Sequence, residues 1–255
     1  MKKIGIFDSG IGGITLLREM ISDYPEIEFY YVADDEWAPY GDKNDNLICE
    51  RSEKIVNLLI EQKVEMVVVA CNTATSLAIE HLRSKFSIDF VGVEPFINVL
   101  NRFEFDHNKD KIAVLTTTAM FHSRRFKDLL KKFDPEQKLH PLKVPRLATI
   151  IEQIYQLGFT NELNLELNKE LSELKEGQYS HVILGCTHYP LIADFFKESL
   201  NIIPISPCPY VSGRVGNFFD ASNSEKSIEH YWFMETKQMI WNKNLKDKLP
   251  GPLKF

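Results

Sequence analysis

The sequence predicts an α/β protein made of two related halves with parallel-rich sheets. Short apolar runs alternate with longer amphipathic stretches, the pattern of βαβ units. The pattern restarts near residue 111, where KIAVLTTT matches KIGIFDSG from residue 3 as a strand opening into a polar loop. VVVACNTATSLAIEHL around Cys71 resembles VILGCTHYPLIADFF around Cys186: a buried strand ending in a small residue, then Cys, a polar pair and a helix. Cys71 and Cys186 lie 115 positions apart, and Ile4 and Ile112 lie 108 apart. Two similar offsets imply two pseudo-symmetric α/β halves.

Each element rests on its own pattern. Residues 3–7 and 29–32 read as buried strands, with a glycine-rich loop and helix over 10–24 between them. The 3.6-residue period predicts a helix over 46–62. The β-branched run 65–70 predicts a strand, followed by a helix over 73–86 and a short strand over 90–93. In the second half, strands are expected at 111–115, 181–184 and 202–205. Helices are expected at 121–133, 145–157, 161–174 and 190–200, and a last one starting at Ser212 and running to Phe219. The tail from Ser227 ends in a Lys/Asn/Pro-rich segment that is expected to be loosely held.

The chain has 255 residues, 44% hydrophobic and 26% charged, ordinary values for a protein with a real core. A net charge of -6 argues against a general nucleic-acid or anionic-membrane surface, which needs a basic patch. No apolar stretch approaches the roughly 20 residues of a membrane span, and Asp8 and the glycines interrupt the first apolar run too early for a secretory signal. Cys49, Cys71, Cys186 and Cys208 fit neither a zinc-finger nor a disulfide framework. A cytoplasmic protein with reduced thiols is the expectation. Cys49 falls in a helix and reads as structural. Cys208 falls in a Pro-rich loop and reads as incidental.

The chemistry gathers at strand ends. Open α/β sheets bind ligands at the carboxyl ends of their strands. Asp8-Ser9, Cys71-Asn72-Thr73, Thr116-Thr117 and Cys186-Thr187-His188 all fall there, each before a helix whose free N–H groups favour an anion. Together they would line one cleft suited to a small anion. A cysteine alone is most simply a buried hydrophobe; two at equivalent strand ends of paired halves point to chemistry instead. A thiol at a helix N-terminus can have its pKa lowered from about 8.5 to roughly 3.5–7.5, which makes it a usable general base. Asp8 could relay protons for Cys71 and His188 for Cys186; the plainer readings are a helix N-cap for Asp8 and a surface histidine for His188. The loop 8–13 is not a dinucleotide fingerprint, because Thr15 stands where its last glycine belongs. Zinc on Asp8, Cys71, Cys186 and His188 is chemically conceivable but lacks the usual short ligand spacing.

FDSGIGG at 7–13, PYG at 39–41, ACNTAT at 70–75, GVEP at 92–95 and GCTHYP at 185–190 together resemble the glutamate racemases of the aspartate/glutamate racemase superfamily. The resemblance spans residues 1 to about 200. It implies a first domain of 1–95 plus 206–255 and a second of 96–205, with the active site in the interdomain cleft. It implies two-base racemisation without pyridoxal phosphate or metal, supplying D-glutamate for peptidoglycan, often in a homodimer. By residue matching, Cys71 would deprotonate D-glutamate and Cys186 L-glutamate, the opposite thiol returning a proton to the other face. Asp8, His188 and Glu152 match auxiliary acid–base positions. Ser9, Pro39, Tyr40, Gly41, Asn72, Thr73, Thr117 and Thr187 match substrate-binding positions. Three places depart from the pattern: Trp37 replaces an arginine, Met120 replaces a threonine expected to face substrate, and Ser206-Pro207-Cys208-Pro209 replaces an Asp-Ser segment. Other readings are a racemase for aspartate or another acidic amino acid, a non-catalytic anion-binding module, and a metal hydrolase.

Overall fold

A computed structural model describes residues 2–106, 110–218 and 227–253. The elements in chain order are β1 (Lys3–Asp8), α1 (Ile14–Asp23), β2 (Glu28–Ala33), α2 (Asp45–Glu61), β3 (Met66–Val69), α3 (Asn72–Lys85) and β4 (Asp89–Gly92). Then follow β5 (Ile112–Thr116), α4 (Thr118–His122), α5 (Arg124–Phe133), β6 (Leu139–Lys143), α6 (Leu147–Leu157), α7 (Asn161–Glu170), α8 (Ser172–Glu176) and β7 (His181–Leu184). The chain closes with α9 (Ala193–Glu198), β8 (Ile203–Ile205), α10 (Cys208–Gly216), β9 (His230–Glu235) and β10 (Asn242–Leu245).

The chain divides into two compact units, Met1–Val93 with Cys208–Gly251, and Glu94–Pro207 with Pro252–Phe255. The first holds a sheet in the order β10-β9-β2-β1-β3-β4, parallel except for the antiparallel β9–β10 pair. The second holds an all-parallel sheet in the order β6-β5-β7-β8. Continuous burial along β2, β3 and β5 is what parallel strands covered on both faces require. In the first unit, Ile48, Ile55 and Leu59 of α2 and Ala74, Ala78 and Leu82 of α3 pack on Phe7, Val67 and Val69. In the second, Phe126 of α5 and Met120 pack with Ile112, Val114 and Ile183.

The two sheets are wound alike. In each, the second strand pairs on one side of the first and the third strand on the other. The winding therefore reverses between β1 and β3, and again between β5 and β7. Such a switch point opens a crevice at the strands' carboxyl ends. Cys71 follows β3 and Cys186 follows β7, so each thiol stands at the reversal of its own sheet.

Several expected elements differ. The helix expected over 121–133 is two, broken at Ser123, whose hydroxyl caps α5 through the Phe126 amide at 3.1 Å. The helix over 161–174 likewise divides into α7 and α8. Residues 139–143 form β6, which the Pro141 in its middle hid; it is an edge strand of its sheet, where proline is tolerated. The last helix begins at Cys208, earlier than Ser212, and Phe219 lies outside the described residues. Cys208 therefore opens a helix and is buried, its Sγ 3.6 Å from Thr15 Oγ1.

Much of the tail is held in the first sheet. Residues from His230 form β9 and β10, and β9 joins β2 in parallel. Trp232 stacks on Tyr30 with centroids 6.1 Å apart, and Phe233 stacks on Tyr31 at 5.5 Å. Successive strand residues face opposite sides, so the hairpin is pinned on both faces.

Candidate active site

In the first unit three loops leave the carboxyl edge of the sheet side by side, because Asp8 is in register with Ala33 and Phe7 with Val69. The loop after β1 folds around the buried Asp8, whose Oδ2 accepts the amides of Gly13 at 3.1 Å and Gly10 at 3.3 Å. Tyr31 Oη donates to Gly10 O at 2.8 Å. Gly13 is required at this point: a Cβ there would lie 2.7 Å from Tyr31 Oη and 2.9 Å from Asp8 Cβ. Asp8 is not the helix cap expected of it under the plainer reading; Gly13 holds that position.

Cys71 is the N-cap of α3. Its Sγ accepts the Ala74 amide at 3.4 Å and lies 3.8 Å from Ser9 Oγ. Asn72 and Thr73 open the helix and are buried. Both polar atoms of the Asn72 side chain are buried without a hydrogen-bond partner among the described residues. Leaving such groups unpaired costs about 1–3 kcal/mol. Pro39, Tyr40 and Gly41 lie in the loop after β2. Tyr40 is buried among the same residues as Cys71, and its phenol donates to Asp34 Oδ2 at 2.5 Å. Burial and the Asp34 carboxylate push that phenol far above its ordinary pKa, so it stays protonated.

The second unit builds its reversal point differently. Thr117 caps α4, accepting the Met120 amide at 3.3 Å, and Thr116 Oγ1 beside it is buried without a partner among the described residues. After Cys186 no α-helix begins at once. A 3₁₀ turn spans Tyr189–Ile192, with Pro190 in its first turn, and α9 starts only at Ala193. In place of a capping amide, Cys186 Sγ has His188 Nδ1 at 3.7 Å, and His188 Nε2 meets Glu152 Oε1 of α6 at 2.7 Å. His188 is buried, not a surface residue. Burial opposes its charge, but the hydrogen bonds to Cys186 and Glu152 outweigh this and raise its pKa well above the usual imidazole value. Glu152 thus holds the ring with its Nδ1 edge toward the sulfur. Thr187 is buried beside it.

Cys71, Asp8, Ser9, Pro39, Tyr40, Gly41, Asn72 and Thr73 thus gather in the first unit, and Cys186, His188, Glu152, Thr117 and Thr187 belong to the second. Met120 is 1% exposed and packs with Phe126 and Ile183. Within each unit no three His, Cys, Asp or Glu side chains converge on a metal-ligand arrangement among the described residues. Sequence reasoning missed Arg51 and the orphaned Tyr189 hydroxyl. Tyr189 lay inside the GCTHYP motif and could have been singled out there. Arg51 carried no signal, since its partner Asp34 is 17 residues upstream on a different element.

Known proteins resemble this chain in sequence and in fold. The profile of the family described as Asp/Glu/hydantoin racemase matches residues 15–211. The glutamate racemase of Clostridium novyi (strain NT) is 37% identical over 214 residues, covering 84% of this chain and 79% of that protein. Among solved structures, Escherichia coli glutamate racemase in complex with L-glutamate and the activator UDP-MurNAc-Ala superposes with a TM-score of 0.80 at 26% identity. It covers 92% of this chain and 88% of that one. Glutamate racemase isoform RacE1 from Bacillus anthracis gives a TM-score of 0.77 at 27% identity, with the same coverage. Fold, thiol-bearing strand ends and relatives define an isomerase, an amino-acid racemase. The chain belongs to the Asp/Glu/hydantoin racemase family.

Proposed function

We propose that the protein interconverts L- and D-glutamate without a cofactor, with Cys71 and Cys186 as acid–base groups on opposite faces of the α-carbon. One thiolate takes the α-proton, a planar carbanionic intermediate forms, and the other thiol protonates its opposite face. Mirror-image substrates require a base on each face, and one fold unit carrying each thiol meets that need. The observation that carries the reading is the shared winding of the two sheets, with a cysteine at the reversal of each. Asn72, Thr73, Thr117 and Thr187 supply donors for the charge that develops on the carboxylate side, with Ser9 and residues 39–41 completing the substrate contacts. Asp8 serves the Cys71 side, while His188 and Glu152 serve Cys186. In a cell the D-glutamate would feed peptidoglycan synthesis. No helix among the described residues is long and apolar enough to cross a membrane, which suits a cytoplasmic enzyme acting on a small molecule, alone or as a homodimer.

The test is circular dichroism of L- and D-glutamate solutions with enzyme and no additive, run beside L- and D-aspartate. Loss of signal from both glutamate enantiomers is expected. A signal lost only with aspartate would move the substrate assignment, and none with either would sink the activity. Cys71→Ser and Cys186→Ser should each slow racemisation by at least about 10³-fold, near the upper range for a lost acid–base group. Normal rates in both single variants would overturn the two-thiol assignment.

A further inference from the structure

Asp34 is a heavily committed charge in the first unit. It is fully buried at the end of β2. Its Oδ1 accepts Arg51 Nη2 at 2.5 Å and Thr236 Oγ1 at 2.7 Å; its Oδ2 accepts Arg51 Nε at 3.1 Å and Tyr40 Oη at 2.5 Å. Its backbone amide donates to Asp8 O at 2.9 Å. Arg51, on α2, comes in as a two-pronged fork, its side chain only 13% exposed. Trp37 roofs the guanidinium, 5.2 Å from its ring centroid, and Glu36 lies 3.8 Å away at the rim.

A buried ion pair is weak evidence for stability, since well-packed apolar side chains often serve as well. What it supplies that leucines do not is direction. The carboxylate fixes the Tyr40 phenol at one point, and Tyr40 lies between Pro39 and Gly41. We infer that Arg51 is a positioning residue: acting through Asp34 and Tyr40, it holds segment 39–41 in its substrate-binding conformation beside the Cys71 end of α3. The inference rests on the glutamate racemase reading, which makes residues 39–41 substrate contacts. Arg51 touches no reacting atom. Lysine is no substitute, because it lacks the planar fork that engages both carboxylate oxygens.

The experiment compares wild type, Arg51→Lys, Arg51→Met, Thr236→Val and the double variant Asp34→Asn/Arg51→Met. Each is assayed for KM and kcat with both glutamate enantiomers, for glutamate Kd by calorimetry and for thermal midpoint. The double variant removes both charges together and so avoids an unpaired buried carboxylate that could prevent folding. The expected result is a KM and Kd raised about 10-fold or more in Arg51→Met and in the double variant, about 1.4 kcal/mol of lost binding. Arg51→Lys should fall between these and wild type, and kcat should change less than about 3-fold. A lower midpoint with KM and Kd unchanged in a folded variant would overturn the inference and leave the racemase reading intact. Wild type that binds glutamate without racemising it would defeat the activity reading, while the Kd comparison still decides the role of Arg51. Wild type that neither binds nor racemises glutamate would overturn both.

Discussion

Burial alone would keep the His188 imidazole neutral; its bonds to Cys186 and Glu152 reverse that. The consequence for stability has a definite sign. The folded pKa lies above the unfolded value of about 6.5, so the native state binds the proton more tightly than the unfolded chain does. The stabilisation is therefore complete below about pH 6.5 and is lost as pH rises through the raised folded value. His188→Gln should be destabilised most, relative to wild type, in urea melts near pH 6, and the gap should close in strongly alkaline buffer. A gap that widened with pH would mean that the ring is buried neutral. At the same scale, the placement of Cys71 and Cys186 just after buried strands was legible from local sequence. The Cys186–His188 contact follows from a spacing of two residues. Glu152 is 36 positions from its histidine and came only through family resemblance. Arg51 was beyond reach for the same reason, its pairing being made by the packing of α2 against the end of β2.

Among the elements, the 3₁₀ turn after β7 sets how closely Cys186 can approach its sheet. Gly185 precedes it, and a Cβ there would lie 2.4 Å from the Leu115 carbonyl oxygen of the neighbouring strand. That atom is backbone and cannot rotate away. Gly185→Ala should cost about 1–3 kcal/mol, the usual range for overpacking, measured as a lower denaturant midpoint. Because the strain falls directly before the thiol, activity should drop further than the loss of folded protein explains. Element types were mostly readable because buried parallel strands and amphipathic helices have distinct periods. The misses share a physical origin. Serine at 123 ends one helix and caps the next, a switch that periodicity does not register. The β9–β10 hairpin, where no strand was expected, is fixed by cross-strand stacking on Tyr30 and Tyr31, some 200 residues earlier in the chain.

At the scale of the whole molecule, ligand and fold should stabilise each other. A ligand that binds only the native state adds about 2.7 kcal/mol at 100 times its Kd. For a chain of this length that corresponds to a rise of roughly 5–10 °C in the unfolding midpoint. Scanning calorimetry with saturating glutamate should show it with either enantiomer, provided the Asn72 amide and its neighbours are the binding groups. No shift with either would argue against glutamate as the ligand. The repeated architecture was legible from two short sequence echoes. The identical order of the strands was not, since neighbouring in a sheet is decided by crossover connections that leave no local mark.

The two units wind alike, yet they finish their cysteine loops differently, with Cys71 capping a helix and a hydrogen-bonded histidine–glutamate pair beside Cys186. Mirror-image substrates in water have equal free energy, so the ratio of kcat/KM for the two directions is pinned at unity whatever the protein does. Divergence between the repeats cannot bias the product mixture. It can make kcat and KM differ between the enantiomers only in step, the one with the lower KM carrying the proportionately lower kcat.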